Sequence, residues 1–489
     1  VNGVYYENLT DAIAAADGGT VTMLKDAVFT DTCIVRGPVT LDMNGHTISN
    51  TSSIWDDTDE VDEWSLISVR RNGNLTITGN GTLSTLENDI YAVDIYDATS
   101  SCTIESGTFI GNIHAVYVFN GSLTVNGGTY SIQQQYGDTS KAYEFVLNCY
   151  DDNREAGTAK ITVNGGTFEN FNPADCKAEG EGTNFVAEGY TVTSEVISGD
   201  TWHTVVPQTA ENSAAEVNGV YYENLTDAIA AAKDGDTVAL LEDVTLTETL
   251  GITKGITLDG NENTITANIE GGKTGNSWIS GVKFIDVDTD KNLTIRDCVF
   301  AFDQPIRTPL SLNVGGVATI TGNTFNCGEQ MCYNPIEFGI SGDYSPASGT
   351  IVSNNVFNGQ FYNNGISFYN LVENGVYTIS GNTFEFAGNG LRLSNPKNVY
   401  ATFNVENNTY SGTLSGNYEG FLIFQDYGAA TAHQNLTALT VNITNLVGPN
   451  GVVMTDNSTY GQVYYVYSDN GGGLSCSGLV TAKPTVTFN

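Results

Sequence analysis

Apolar and polar residues alternate along much of the chain, in short segments that end on an aromatic or apolar side chain. In the second half these segments end 25, 32, 27 and 26 residues apart, at Phe300, Phe325, Phe357, Phe384 and Tyr410. In the first half they end at Leu83, Phe109, Tyr130 and Phe168. A period of two predicts strands, and a spacing of ~25 residues fits a repeat of three short strands. The pattern predicts an all-β fold, a parallel β-helix.

The residue two positions before most of these segment ends is Asn or Gly. The Asn positions are Asn323, Asn355, Asn382 and Asn408, and the Gly positions are Gly81, Gly107, Gly128 and Gly166. Gly and Asn enter the left-handed backbone region at the lowest cost, so we expect a corner with positive φ at these positions. Stacked Asn side chains are also expected to hydrogen-bond to one another as a ladder.

A long exact repeat divides the chain. Val1–Ala16 reads VNGVYYENLTDAIAAA, and Val217–Ala232 repeats all sixteen residues. The small polar stretch that precedes the second copy is typical of a linker. The sequence therefore predicts two modules, 1–207 and 217–489, joined by a linker at 208–216.

The repeated segment predicts a short capping helix at the start of each module. Leu9, Ile13 and Ala16 share one face at helical spacing. Thr10 precedes Asp11 and is expected to cap the helix, with the acid favoured at the positive end of the dipole. So short a helix is unstable alone, so we expect it to cover the open end of a β core.

Composition excludes several partners. The 489 residues include 56 Asp and Glu but only 18 Lys and Arg, a formal net charge of −38. Nucleic acids and anionic membrane surfaces both require clustered basic residues, so neither is an expected partner. Because no run of 18 apolar residues occurs, no membrane insertion is expected. The chain begins at Val1 without an initiator Met, which is typical of a mature or trimmed product.

Eight cysteines are present without the CxxC and His spacing of zinc sites. Buried thiols and disulfides both fit these positions. Cys327 and Cys332, five residues apart around an expected loop, form the most favoured pair.

No catalytic residue is assigned from the sequence. The motifs of polygalacturonases, pectate lyases and pectin methylesterases are absent, and no GxSxG elbow occurs. A glycoside hydrolase needs only two carboxylates about 5–10 Å apart, so the acidic segments Asp56–Glu63, Asp151–Glu155 and Glu337–Asp343 remain candidates. With so acidic a composition, solvated loops explain these clusters better.

One segment resembles a calcium loop. Oxygen ligands occur at alternate positions and again further on, at Asp286, Asp288, Asp290, Asn292 and Asp297. Lys291 stands where an EF-hand loop requires Gly, and no helices are expected beside it. An acidic turn between strands is therefore the favoured interpretation, and calcium is retained as the possible cofactor.

Binding residues are expected in the long insertions between repeats, at 50–65, 131–160, 326–349 and 411–435. Aromatic and acidic side chains cluster there, and Tyr and Trp suit contacts with sugars or proteins. Packing of the same rings against the strands is the alternative. The candidate ligand-binding residues are Trp55, Asp56, Asp57, Trp64, Tyr136, Tyr143, Tyr150, Tyr333 and Tyr344.

The opening NGVYYENLTDAIAAA, with ITLDGNENTI in the second module, resembles the right-handed β-helix modules of large surface proteins of Gram-positive bacteria. The segment from Phe185 to Pro207 resembles the usual ending of such modules. The resemblance implies an extracellular or cell-surface setting within a larger surface protein. It is weak for activity, because a fold does not determine a function.

The leading hypothesis is a non-catalytic module, an adhesin or rigid spacer that presents loops to host or environmental glycans or to a surface protein. Duplication favours this hypothesis because reach and avidity grow with length. A carbohydrate-active enzyme with a carboxylate pair is the main alternative, and a filament subunit is a third. Two converging carboxylates with a raised pKa would favour the enzyme.

Overall fold

The chain folds into two compact units, Val1–Gln208 and Thr209–Asn489. The computed structural model describes residues 1–54, 64–86, 89–134, 145–180, 182–275, 277–279, 281–339, 344–361, 364–385, 389–411, 421–426, 436–456, 464–469, 474–476 and 484–489. The α-helices of this described part are α1 (Leu9–Ala14), α2 (Asp151–Glu155) and α3 (Leu225–Ala231). Single 3-10 turns lie at Lys177–Glu179, Ala210–Asn212, Leu436–Ala438 and Pro449–Gly451.

Most of the first unit consists of short strands. They are β1 (Thr20–Thr22), β2 (Ala27–Phe29), β3 (Cys33–Val35), β4 (Pro38–Asp42), β5 (Thr47–Asn50), β6 (Ser65–Val69), β7 (Asn74–Thr78), β8 (Thr82–Ser84), β9 (Tyr91–Ile95), β10 (Ser101–Ile104), β11 (Thr108–Gly111), β12 (Val116–Val118), β13 (Gly121–Val125), β14 (Thr129–Ile132), β15 (Leu147–Cys149), β16 (Ala159–Val163), β17 (Gly166–Glu169), β18 (Tyr190–Ile197) and β19 (Asp200–Pro207).

These strands form three parallel sheets that the chain visits in a fixed order. Sheet 1A has the order β1-β4-β7-β10-β13-β16, and sheet 1C has the order β15-β12-β9-β6-β3. Sheet 1B runs from β2 through β5, β8, β11 and β14 to β17, where the antiparallel hairpin β18–β19 continues it. Each repeat therefore adds one strand to each sheet.

The second unit has the same plan with more repeats. Its strands are β20 (Ala215–Val217), β21 (Val220–Tyr222), β22 (Thr237–Leu240), β23 (Val244–Leu246), β24 (Leu250–Ile252), β25 (Thr257–Asp259), β26 (Thr264–Ala267), β27 (Lys273–Thr274), β28 (Ser277–Trp278), β29 (Lys283–Thr289), β30 (Leu293–Arg296), β31 (Val299–Phe302), β32 (Thr308–Val314), β33 (Ala318–Thr321), β34 (Thr324–Cys332), β35 (Ile336–Phe338), β36 (Ile351–Ser353), β37 (Val356–Phe361), β38 (Asn364–Phe368), β39 (Gly375–Ser380), β40 (Thr383–Glu385), β41 (Asn389–Leu393), β42 (Ala401–Glu406), β43 (Thr409–Tyr410), β44 (Leu422–Asp426), β45 (Leu439–Thr444), β46 (Tyr464–Asp469), β47 (Leu474–Cys476) and β48 (Thr485–Phe488).

Sheet 2A begins with the antiparallel strands β21 and β20 and continues in parallel from β22 to β48. Sheet 2B has the order β23-β26-β31-β34-β37-β40-β43. Sheet 2C has the order β24-β29-β32-β35-β38-β41-β44-β46, with β47 antiparallel at its end. The hairpin β27–β28 lies apart from these sheets.

Each unit has its own hydrophobic core, built from side chains that the three sheets turn inward. Aromatic rings of successive repeats stack directly on one another in sheet 2B. Ring centroids are 4.9 Å apart from Phe300 to Phe325, 5.0 Å from Phe325 to Phe357 and 4.8 Å from Phe357 to Phe384. These distances match the strand spacing, because parallel strands in register place equivalent side chains one above another.

The predicted Asn ladder is confirmed. Asn323, Asn355, Asn382 and Asn408 are buried, and each of the first three donates from its side-chain amide to the side-chain oxygen of the next at 3.0 Å. Each also donates from its backbone N–H to that same oxygen, at 2.9–3.0 Å. The ladder thus satisfies polar groups in the interior of the second unit.

The predicted backbone of these corners is partly wrong. In the first unit Gly107, Gly128 and Gly166 have positive φ as expected, whereas Gly81 does not. In the second unit the ladder residues do not have positive φ. The residue before each one does, at Gly322, Asn354, Gly381 and Asn407. The chain turns one position earlier, and the ladder side chain then points inward.

The predicted helix cap, Thr10, is wrong. Helix α1 starts at Leu9, and Asn8 caps it by accepting from the Asp11 backbone N–H at 2.8 Å. Thr10 lies in the first turn. Asn224 caps α3 in the same way.

The segment predicted as a linker takes part in the fold of the second unit. It contains the 3-10 turn Ala210–Asn212 and most of β20, which pairs with both β21 and β22. Further along, Cys327 and Cys332 form the disulfide that the sequence favoured, with Cα atoms 6.0 Å apart. Five other cysteines are buried and lie outside this disulfide: Cys33, Cys102, Cys149, Cys176 and Cys298.

Candidate functional site

Five of the predicted ligand-binding residues lie outside the described residues: Trp55, Asp56, Asp57, Tyr136 and Tyr143. The other four belong to different units, so no single site contains them all. Trp64 and Tyr150 are in the first unit, and Tyr333 and Tyr344 are in the second.

Trp64 and Tyr150 both contact other aromatic rings. The Trp64 ring lies edge-on to Tyr91, with centroids 6.5 Å apart. The Tyr150 ring packs on Phe119 at 5.0 Å, yet 40% of the residue is exposed. Tyr150 therefore keeps surface available for a partner.

Tyr333 lies between two side chains of the second unit. Its ring is 5.7 Å from Trp278 and 5.2 Å from the Arg307 guanidinium carbon. Tyr344 is 37% exposed, and its backbone N–H donates to the Asn313 side-chain oxygen at 3.1 Å. Of these two rings, Tyr344 offers the exposed surface.

The structure does not gather the predicted calcium ligands into one cluster. Asp286 and Asp288 lie on β29, where alternate residues are about 7 Å apart. Asp286 pairs with Lys283 at 2.8 Å, and Asp288 accepts from Asn313. Asp290 pairs with Lys291, Asn292 accepts from the Val317 N–H, and Asp297 lies beyond β30. Among all described residues, no group of three or more His, Cys, Asp or Glu side chains is placed to bind a metal.

The sequence did not predict the polar column on the outer face of sheet 1C. Ser68, Asp94, Tyr117 and Asn148 occupy one register position on β6, β9, β12 and β15. Their neighbours along each strand point into the core, so these four point away from it. All of them except Tyr117 are nevertheless buried.

Asp94 is the ionisable centre of this column. Its carboxylate accepts from the Ser65 hydroxyl and, at 3.0 Å, from the Ser68 hydroxyl. The Arg70 Nε donates to the Ser68 oxygen at 2.5 Å, and the Arg70 guanidinium stacks 4.5 Å from the Tyr96 ring. Burial raises the pKa of Asp94 to about 6 despite these donors.

Aromatic side chains flank Asp94. Tyr91, His114 and Tyr117 form a triangle with ring centroids 4.6–5.2 Å apart. Burial lowers the pKa of His114 to about 4, so the ring is neutral at pH 7, and its Nδ1 lies 2.7 Å from the Phe145 carbonyl oxygen. Burial raises the pKa of Tyr91 to about 12. The cluster therefore places a carboxyl group with a pKa of about 6 beside three packed aromatic rings.

Sheet 2C has a buried carboxylate on its outer face as well. Glu337 aligns with Ser311 and Ser367 on the adjacent strands, and none of its surface is exposed. One of its oxygens accepts from Asn334 at 2.5 Å and from the Tyr369 hydroxyl at 2.8 Å.

The other Glu337 oxygen accepts from the Thr308 hydroxyl and, at 3.4 Å, from Arg307. Arg392 lies on β41, two strands from Glu337 in sheet 2C. Its guanidinium stacks 4.4 Å from the Tyr369 ring and donates to the Tyr369 hydroxyl at 2.9 Å. Both oxygens of Glu337 are therefore saturated by donors of its own unit.

The two clusters differ in the chemistry that they allow. A carboxyl with a pKa near 6 can exchange a proton at neutral pH, which suits Asp94 to acid–base chemistry. Glycoside hydrolysis also requires a second carboxylate about 5–10 Å away. Asp97 is the other carboxylate whose charge raises the pKa of Asp94, and it already accepts from the Arg71 backbone N–H.

A signal for both clusters exists in the sequence. Asp94, Glu337 and Arg392 each interrupt an apolar run, in YAVDI, PIEF and GLRL. A charged residue inside a strand that is buried on both faces needs a dedicated partner. Such an interruption is a better guide than the density of acids in loops.

No known protein family, curated protein or solved structure matches this chain. Among the described residues, no helix is long and apolar enough to cross a membrane.

Proposed function

We propose that each unit is a right-handed parallel β-helix and that the chain is a non-catalytic extracellular module that presents loops to glycans or to a surface protein. The cyclic order of three parallel sheets supports the helical path. Crossover connections between parallel strands are right-handed almost without exception, which supports its hand.

The saturation of Glu337 is the observation that carries the non-catalytic interpretation. A carboxylate whose two oxygens accept from Asn334, Tyr369, Thr308 and Arg307 inside a closed cluster has no lone pair directed at a substrate. Its role is to hold adjacent strands of sheet 2C together.

The placement of the loops supports display. In the first unit the connections from sheet 1B to sheet 1C are residues 30–32, 51–64, 85–90, 112–115 and 133–146. Each connection starts at one strand of sheet 1B and ends at one strand of sheet 1C, and successive connections use adjacent strands in both sheets. The strands that flank these connections therefore end and begin along one junction between sheets 1B and 1C. Connections at one edge of a repeat scaffold are the usual place for binding residues.

Exposed tyrosines provide the test of binding. The full chain is passed over immobilised plant, mucin and capsular polysaccharides, and retention is compared between wild type, Tyr150→Ala and Tyr344→Ala. We expect at least one of these variants to weaken binding tenfold or more. The matched control is Tyr400→Ala, because Tyr400 is 61% exposed and was not predicted to bind. Equal retention of all three variants would contradict display through these tyrosines.

A glycoside hydrolase is the second candidate, and the raised pKa of Asp94 is the observation that favours it. Incubation with the same polysaccharides, followed by chromatography of soluble products, separates the two functions. We expect no oligosaccharide release. Release of defined products that Asp94→Asn abolishes and Glu337→Gln preserves would replace the display proposal with a catalytic one.

A further inference from the structure

The same sixteen residues fold differently at the starts of the two units. In the second unit Val220–Tyr222 form β21, and Ala215–Val217 form β20 between β21 and β22. In the first unit the identical Val4–Tyr6 form no strand. Since the sequences are identical, the difference arises from what lies beside them.

A groove in the first unit occupies the place that β20 fills in the second. It has a volume of about 930 Å³ and is lined by residues 1–12 and 20–32. The corresponding groove of the second unit is about 410 Å³, and Ala214 is part of its wall. None of the residues that line this second groove is an equivalent of Val1–Tyr6 or Thr20–Leu24.

Side-chain exposure follows the same difference. Tyr5 is 83% exposed and Leu24 is 64% exposed, whereas their equivalents Tyr221 and Leu241 are partly buried. Val1 is partly buried, whereas its equivalent Val217 is only 5% exposed. An apolar surface that is covered in one unit is therefore open in the other.

The backbone hydrogen bonds of the second unit show what would cover this apolar surface in the first unit. In the second unit the Leu241 N–H donates to the Ala214 carbonyl at 2.9 Å, and the Ala214 N–H donates to the Tyr222 carbonyl at 2.9 Å. Their equivalents in the first unit are the Leu24 N–H and the Tyr6 carbonyl. Neither has a hydrogen-bond partner among the described residues. The Met23 N–H points the other way, to the Asp42 carbonyl, so β1 is an edge strand on the groove side.

We propose that this groove is an acceptor for one antiparallel β-strand with the chemistry of Ser213–Glu216, small side chains followed by a carboxylate. Ser213, Ala214 and Ala215 are each at most 3% exposed in the second unit, so only small side chains fit at those positions. The Glu216 carboxylate accepts from the Gly219 N–H at 3.0 Å, so the acidic side chain stabilises the turn between β20 and β21. Gly3 offers the equivalent N–H in the first unit.

Such strand addition uses main-chain hydrogen bonds for affinity and alternate side-chain pockets for specificity. The inference does not rest on the proposed display function, because it concerns the end of the first unit and none of the candidate binding residues.

The test is a full chain extended ahead of Val1 by a copy of Thr209–Glu216, which reproduces the connection of Glu216 to Val217. The control extension has Pro at the positions of Ala214 and Glu216, because proline cannot donate to the ladder. Amide hydrogen exchange is measured at Thr22 and Leu24. We expect the first extension, and not the control, to slow exchange at Leu24 at least tenfold.

A second variant keeps the test independent of folding. Leu24→Pro removes the donor that the strand would use and lies beyond the end of β1. In this variant the first extension should give no more protection at Thr22 than the control extension gives. The proposal is overturned if both extensions protect Leu24 equally. It is also overturned if the unextended chain dimerises and the dimer alone shows the protection.

Discussion

Asn382 shows how one side chain can connect three repeats. Its amide donates to the Val352 carbonyl at 2.9 Å and to the Asn408 side chain at 3.0 Å, and its oxygen accepts two hydrogen bonds from Asn355. Every polar atom of the side chain is therefore satisfied in a site where none of the residue is exposed. A buried amide in this position acts as a specific connector, because no apolar residue can replace its four bonds.

Replacing Asn382 should therefore be costly. Asn382→Ala leaves the Asn355 backbone N–H and one of the two N–H groups of its side-chain amide without an acceptor in the core, so we expect the free energy of unfolding of the second unit to fall by about 3 kcal/mol. Urea denaturation measures the loss. The matched control is Asn358→Ala, since Asn358 donates to Asn326 at 3.1 Å in an exposed pair. A loss from Asn358→Ala as large as that from Asn382→Ala would contradict the role of the buried ladder.

Asp94 predicts a pH dependence of the first unit. Its pKa is about 6 when folded and about 3.9 in an unfolded chain, so the folded state holds the proton between these values. The contribution of Asp94 to the free energy of unfolding is therefore greatest below about pH 4. It falls as the pH rises from about 4 through 6, by about 3 kcal/mol in total. Asp94→Asn should remove this fall. The measurement is the difference in unfolding free energy between wild type and variant from pH 4 to pH 8, and a constant difference would refute the prediction.

Sequence reasoning found Asn382 and missed Asp94 for a physical reason. The Asn residues recur at one position of the repeat, so their spacing reveals them. Asp94 and Glu337 occur once each, and their partners Ser65, Ser68 and Thr308 come from other strands. Only the register of the sheet brings these residues together, and the register is not visible in the spacing of the chain.

At the scale of elements, α1 and α3 allow a controlled comparison, because both helices begin with the same sequence. The cap residues Asn8 and Asn224 have the same extended backbone and each accepts from an N–H three residues later. The side-chain amide of each also donates to the following Asp at 2.8 Å. The cap is a two-way contact that holds the short helix over the core.

Asn8→Ala and Asn224→Ala should each lower the free energy of unfolding of their unit by about 1 kcal/mol. Thermal unfolding followed by circular dichroism measures the change. Asn8→Ser should retain most of the stability, because serine caps nearly as well. Thr10→Ala is the decisive comparison. If it lowered the free energy of unfolding as much as Asn8→Ala does, the result would contradict the role of Asn8 as the cap.

Alternation describes the burial of the strands in sheets 1A, 1B, 2A and 2B, but not of several strands in sheets 1C and 2C. Strands β9, β32 and β41 are buried at every position, although Leu310–Val314 in β32 alternates between apolar and polar residues. A strand covered on both faces has no period of two in its burial. In these strands the sequence pattern therefore does not reveal that the polar face is covered as well.

At the scale of the whole molecule, the two units have separate cores and one of them has the disulfide. No residue of the first unit belongs to the core of the second. Cys327–Cys332 lies wholly in the second unit. Stability of the two units should therefore respond separately to chemical change.

Reduction should distinguish them. We expect dithiothreitol to lower the unfolding free energy of the second unit by roughly 2 kcal/mol and to leave the first unit unchanged, because only the second unit loses a cross-link. Urea denaturation of residues 1–208 and 209–489, expressed separately, measures both. The double variant Cys327→Ser and Cys332→Ser should be insensitive to the reductant. An equal shift in both pieces would show that the reductant acts by another route.

The ring centroids of Phe325, Phe357 and Phe384 lie 4.8–5.0 Å apart, one strand spacing, although the residues are unevenly spaced in the sequence. This regular stack has a consequence for how the gene can change. Each repeat presents the next with the same ring, the same amide and the same strand register. Recombination that duplicates one whole repeat creates a junction that both neighbours already fit. An insertion of a single residue within a strand would instead turn the core side chains that follow it outward. Heritable changes in the length of this chain should therefore come in whole repeats, with all smaller changes confined to the connections between strands.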